Sequence, residues 1–138
     1  MNRVSFKGIV LAALLVLVLD TIAGIGMMVF MGGSALKGGM TEQQTNEAIA
    51  ALTLSTNFLL GSVILGTLAT IVGGYVAARI AKKEPYLNAG VIGVLGIVLG
   101  VLLAKNYPLW FNVLGFVLVL PAALLGGHLA RSRIEGNA

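Results

Sequence analysis

Few residues in this chain could carry chemistry, and Asp20 is the most informative of them. It interrupts the apolar run "GIVLAALLVLVLDTIAGIGMMVFM", 8–31. An ionised carboxylate at the centre of a membrane helix costs on the order of 3 kcal/mol, so such a residue is expected to face the bundle interior and find a donor. Counting inward from the charged helix ends brings Thr67 of a second apolar run to a similar depth, with Thr70 about one turn further on. Two roles fit Asp20, Thr67 and Thr70: a proton or cation site, or a polar clamp holding the first two spans together. Contact with another protein is a third. A transport path needs more polar groups, and the interior adds only a few hydroxyls, with Asn57 and Asn112 toward the outer side.

Other chemistries find little support. With no cysteine, disulfides, zinc–thiolate sites and thiol catalysis are excluded. His128 is the single histidine, so two histidines of one chain cannot hold a haem; a lone haem ligand or proton relay would rest on His128 alone. The stretch "GGSALKGG", 32–39, is no phosphate loop: its lysine precedes glycine, no Ser or Thr follows, and no strand leads into it. There is no nucleophile elbow, no HExxH and no paired carboxylates. The expectation is a non-enzyme with no catalytic residue, no cofactor and no metal.

The elements that position these residues follow from composition. The 138 residues are 58% hydrophobic and only 10% charged, against about a quarter charged in soluble domains. The bilayer is the expected solvent, and residues 1–138 read as one transmembrane domain of four helical spans: 8–31, 58–78, 87–104 and 109–130. The net charge of +4 does not point to nucleic acid, because the basic residues flank apolar runs instead of forming a stripe. Arg3, Lys7, Arg79, Lys82, Lys83, Arg131 and Arg133 fall on one side and only Lys37 and Lys105 on the other, which predicts cytoplasmic termini. Phe6 and Tyr86 mark the inner interface; Tyr107, Trp110 and Phe111 mark the outer one. The start of the chain also resembles a signal peptide, with a cleavage point after Ala23, but the apolar run resumes beyond Asp20 and an uncleaved span is expected. In the outer loop, 32–57, Thr41 and Gln44 fit a capping box, and Ile49, Leu52 and Leu54 give partial amphipathic spacing. A short extracytoplasmic helix running or bending into the second span is expected there.

Small residues recur at helical spacing. The second span carries Ser62, Gly66, Thr70, Gly74 and Ala78, beside a ridge of Ala69, Gly73, Ala77 and Ala81. The third carries Gly90, Gly93, Gly96 and Gly100, and the fourth Ala122, Gly126 and Ala130, with Gly127 alongside. In lipid such ridges let helix backbones approach closely, within the bundle or in an oligomer. Pro121 predicts a static bend in the fourth span. Aligning Gly73-Gly74 with Gly126-Gly127 also matches Phe58 with Phe111, Leu65 with Leu118 and Tyr75 with His128. Both copies run inward, so the pattern predicts two hairpins in parallel repeat within an all-α four-helix bundle. Tyr75, Arg79, Lys82, Lys83, Arg131 and Arg133 are expected at lipid headgroups, with Arg79 one turn from Tyr75 and in reach of a cation–π contact.

The stretches "LGTLATIVGGYVAARIAKKEPYLNAGVIGVLG" and "LPAALLGGHLARSR" resemble a family of small bacterial integral membrane proteins. These have four predicted spans, an acidic residue in the first, and a Gly-Gly-Tyr-Val-Ala-x-Arg segment. The resemblance covers most of the chain and implies a bacterial inner membrane, with the outer loop in the periplasm or outside the cell. The family has no assigned activity to carry over. In size the chain is similar to the small multidrug transporters, but those use a first-helix glutamate and an aromatic-rich chamber, and their function is not transferred. The expectation is an interaction or accessory component, contacting a membrane protein partner or further copies of itself through the outer helix or a glycine ridge. The alternative is an oligomeric proton- or cation-coupled transporter using Asp20.

Overall fold

The computed structural model describes residues 3–103 and 107–136. Among them are five helices and no strand: α1 (Phe6–Ala35), α2 (Glu42–Thr53), α3 (Thr56–Ala81), α4 (Pro85–Leu103) and α5 (Leu109–Glu135). All but α2 are long and apolar enough to cross a membrane, the mark of a multi-pass membrane protein. The helices overrun the apolar runs because polar residues cap them. Ser5 Oγ accepts from the Gly8 amide at 3.2 Å, and Ser55 Oγ from the Phe58 amide at 3.4 Å. Gly32 and Gly33, where the sequence predicts the loop to open, still belong to α1; Leu52 of α2 packs over Gly32 and supports that last turn. At 1.5 Å per residue α1 is about 45 Å long, more than the roughly 30 Å of hydrocarbon, whereas α4 is near the minimum. The predicted end of the third span at Ala104, and Lys105, lie outside the described residues.

Both bonds of the Thr41–Gln44 capping box are made. α2 ends at Thr53, and Ser55 caps α3 as a separate helix after a two-residue break. No residue of α2 is buried.

α3 is the centre of the bundle. It packs on α1 along one side and on α5 along the other, and α4 lies against both α3 and α5. Among the described residues α1 makes no contact with α5. The two hairpins α1–α3 and α4–α5 are therefore packed unequally: the second lays both its helices on α3, while α1 of the first packs on α3 and only lightly on α4. Glycine sets the closest approaches. A methyl group at Gly74 would fall on the Ala123 carbonyl, and one at Gly126 on the Ile71 carbonyl, so α3 and α5 touch backbone to backbone. Gly73 receives Val16 of α1, and Gly93 receives Leu120 of α5. Pro121 sits inside α5, which continues as helix on both sides.

The end of the bundle holding the N-terminal segment, the α3–α4 turn and the close of α5 is tightly built. Ile9, Ala12, Ala77 and Ile92 form a core there. Beside it Asn88, 0% exposed, ties three segments together. Its Oδ1 accepts from the Ser5 amide at 2.8 Å, and its Nδ2 donates to the carbonyls of Arg3 (3.2 Å), Lys83 (3.1 Å) and Glu84 (3.0 Å). The turn it holds is strained, with Lys82 and Glu84 at φ of 55° and 47°.

Candidate functional site

The long spans open a cleft at mid-bundle. α1 meets α4 at Asn88 and around Ile92; beyond that, α1 follows α3 while α4 follows α5. The space left is a cavity of about 260 Å³, walled by Val16, Leu17 and Asp20 of α1, Ser62, Gly66, Thr67 and Thr70 of α3, Leu95 and Leu99 of α4, and Phe111 and Val119 of α5, among others. Its lining is apolar apart from Asp20 and hydroxyls.

Asp20 stands at the midpoint of α1, at its seam with α3. It borders a second cavity of about 200 Å³ on the other side of that seam, shared with Ser62 and Gly66. The missing side chain of Gly66 makes the room: a methyl there would lie 3.9 Å from Asp20 Oδ1. Asp20 is exposed to this space instead of being sealed inside. No hydrogen bond or ion pair to it is formed among the described residues, where the sequence predicts a donor.

Asp20, Thr67 and Thr70 share one cavity wall, but the threonines do not clamp the acid. Thr67 Oγ1 donates to the Val63 carbonyl at 2.6 Å and Thr70 Oγ1 to the Gly66 carbonyl at 2.8 Å, each one turn back on its own helix. A membrane threonine satisfies itself this way without a second helix. Ser62 likewise donates to the Phe58 carbonyl at 2.9 Å, with Met27 Sδ at 4.0 Å.

The other sequence-predicted residues lie apart from the cleft or brace it. Gly73, Gly74, Gly126 and Gly127 are buried in helix contacts, and Gly96 and Gly100 face Val119 and Phe116 of α5. At the Asn88 end, Arg79 donates to the Tyr75 hydroxyl and sits 5.7 Å from its ring centroid. Arg131 pairs with Glu135 at 2.7 Å and lies 5.7 Å from the Tyr86 ring. Lys82, Lys83 and Arg133 are exposed. Two features escaped sequence reasoning. His128 Nδ1 bonds the Tyr86 hydroxyl at 2.8 Å, joining α5 to the start of α4. Asn88 showed only as a polar residue near a helix start, and its partners lie up to 85 positions away. Among the described residues no group of three or more acidic or histidine side chains could hold a metal.

Fold and site together define an α-helical, multi-pass membrane protein with an acid of its first helix bordering a mid-bundle cleft. No family model, curated protein or solved structure matches the chain.

Proposed function

We propose that this is a non-enzymatic component of a bacterial inner membrane, acting by binding at the Asp20 cleft as an interaction or accessory protein. The observation that carries the reading is a mid-helix carboxyl with no partner among the described residues, opening on a cavity lined by four helices. A carboxyl retained for structure alone would be bonded, because leaving it unpaired in lipid is unfavourable. The glycine ridges are spent on internal packing, which leaves the cleft, beside the unburied α2, as the contact. The excess of Lys and Arg at the Asn88 end supports cytoplasmic termini and an extracytoplasmic α2. The two hairpins are read as a parallel repeat in which the first has swung away from α5.

The test is whether Asp20 is open or structural. Because it makes no bond among the described residues, Asp20→Asn should leave the melting temperature of the detergent-solubilised protein within a few degrees of wild type. Dicyclohexylcarbodiimide, which modifies carboxyls in apolar surroundings, should label Asp20 in membranes, read by peptide mass. A large loss of stability together with an unreactive Asp20 would return the residue to a structural clamp. A second reading, proton- or cation-coupled transport, is favoured by the cavity reaching Asp20. It requires that Asp20→Asn abolish a proton-dependent flux in proteoliposomes while the protein stays folded.

A further inference from the structure

We infer that the α3–α4 turn and the close of α5 form a site for the headgroup of an aminophospholipid, a phosphate joined to a primary ammonium. The inference is independent of Asp20, which lies at mid-bundle. The site is a cavity of about 310 Å³, within the roughly 300–1,000 Å³ of small-molecule pockets. Lys82 and Glu84 line it from the turn, Tyr86 from the first turn of α4, and Arg131, Ile134 and Glu135 from α5. Two apolar spans end here and a third begins, so in a bilayer the cavity lies at the depth of the headgroups.

The charges around it suit a zwitterion. Lys82 and Glu84 are two residues apart and border the same space, yet their side chains form no ion pair or hydrogen bond among the described residues. Both stand at left-handed backbone angles in the turn that Asn88 holds through the Lys83 and Glu84 carbonyls. The backbone is thus fixed while the charged ends stay unpaired. On α5, Arg131 gives its Nε–H to Glu135 Oε1 at 2.7 Å, which leaves further guanidinium donors and the second carboxylate oxygen. Arg131 is braced over the Tyr86 ring, 5.7 Å from its centroid, and His128 holds the Tyr86 hydroxyl at 2.8 Å. Two cations and two carboxylates therefore border one space and cancel in charge. A phosphate suits Lys82 and Arg131, and an ammonium suits Glu84 and Glu135. Ile134 and the Tyr86 ring offer apolar contact to the glycerol end. An anionic headgroup would satisfy the cations alone and meet two carboxylates. A choline headgroup replaces with methyl groups the N–H donors that a carboxylate accepts.

The experiment uses the full chain in detergent micelles and follows its melting temperature as dioleoyl phosphatidylethanolamine, phosphatidylcholine or phosphatidylglycerol is titrated in. The tails are identical, so differences report the headgroup. The ethanolamine lipid should bind about fivefold more tightly than either of the others. Glu84→Gln should remove the preference over the choline lipid, and Lys82→Gln should weaken binding of all three. Both side chains are exposed and bond nothing among the described residues, so the variants should fold; the wild-type ranking decides without them. Equal affinity for the ethanolamine and choline lipids overturns the inference. Tighter binding of the glycerol lipid also overturns it and marks a basic patch. An ethanolamine preference unchanged in Glu84→Gln places the headgroup away from this cavity, and soluble glycerophosphoethanolamine binding as tightly as the lipid makes the ligand a free molecule; either result sinks the proposal.

Discussion

Asn88 and Asp20 occupy opposite situations. Asn88 is sealed from solvent with all of its amide engaged in four bonds to backbone; Asp20 is exposed and forms no bond among the described residues. Removing the Asn88 side-chain amide leaves the Arg3 and Lys83 carbonyls and the Ser5 amide to find other partners, while the Glu84 carbonyl keeps the Asn88 backbone amide, with a strained turn released. Asn88→Ala should therefore destabilise the protein by on the order of 3 kcal/mol, seen as a lower melting temperature in detergent, whereas Asp20→Asn barely moves it. The sequence made Asp20 conspicuous because any acid in an apolar run is anomalous. It concealed Asn88, because an asparagine beside Pro85 and Glu84 looks like an ordinary polar helix start and its partners are distant in the chain.

At the scale of elements, hydropathy and capping residues made the helices legible, but the small-residue ridges revealed close packing without saying against what. Positions four apart drift about 40° around a helix of 3.6 residues per turn, so one ridge of α3 changes partner along its length. Gly66 faces Asp20 of α1, and two turns later Gly74 faces Ala123 of α5. The hydroxyls on that ridge were misleading for a related reason: threonine in a helix bonds backward to its own carbonyls. The contact map makes a graded prediction. Gly126→Ala drives a methyl into the α3 backbone and should cost about 1–3 kcal/mol. Gly26→Ala, where a methyl meets nothing within 4 Å, should be neutral or slightly stabilising through helix propensity. Unfolding in mixed micelles would separate the two.

For the whole molecule, the unequal hairpins matter most. The repeat read from the sequence predicts equivalent packing, yet α4 rests on α3 and α5 together while α1 touches α3 and only one end of α4. Sequence periodicity reports which face of a helix packs, not how many neighbours share it, so this asymmetry was not legible. It implies a bundle that is firm at the Asn88 end and looser around α1 at the other. Since the chain has no cysteine, spin-label pairs can be introduced without background. A pair at Val29 and Leu102, both highly exposed, should give a broader distance distribution than a pair at Val10 and Leu87. Equal widths would mean that α1 is held along its whole length.

The Asn88 latch also sets an order of events during synthesis. Ser5 must wait for a partner made 83 residues later. At about 5–20 residues per second that is a delay on the order of ten seconds. During it α1 is completed with the N-terminal segment untied, and α3 is finished only shortly before Asn88 is made. It is α1 that spends most of this interval without its latch, and the bundle is locked only when the start of α4 leaves the ribosome.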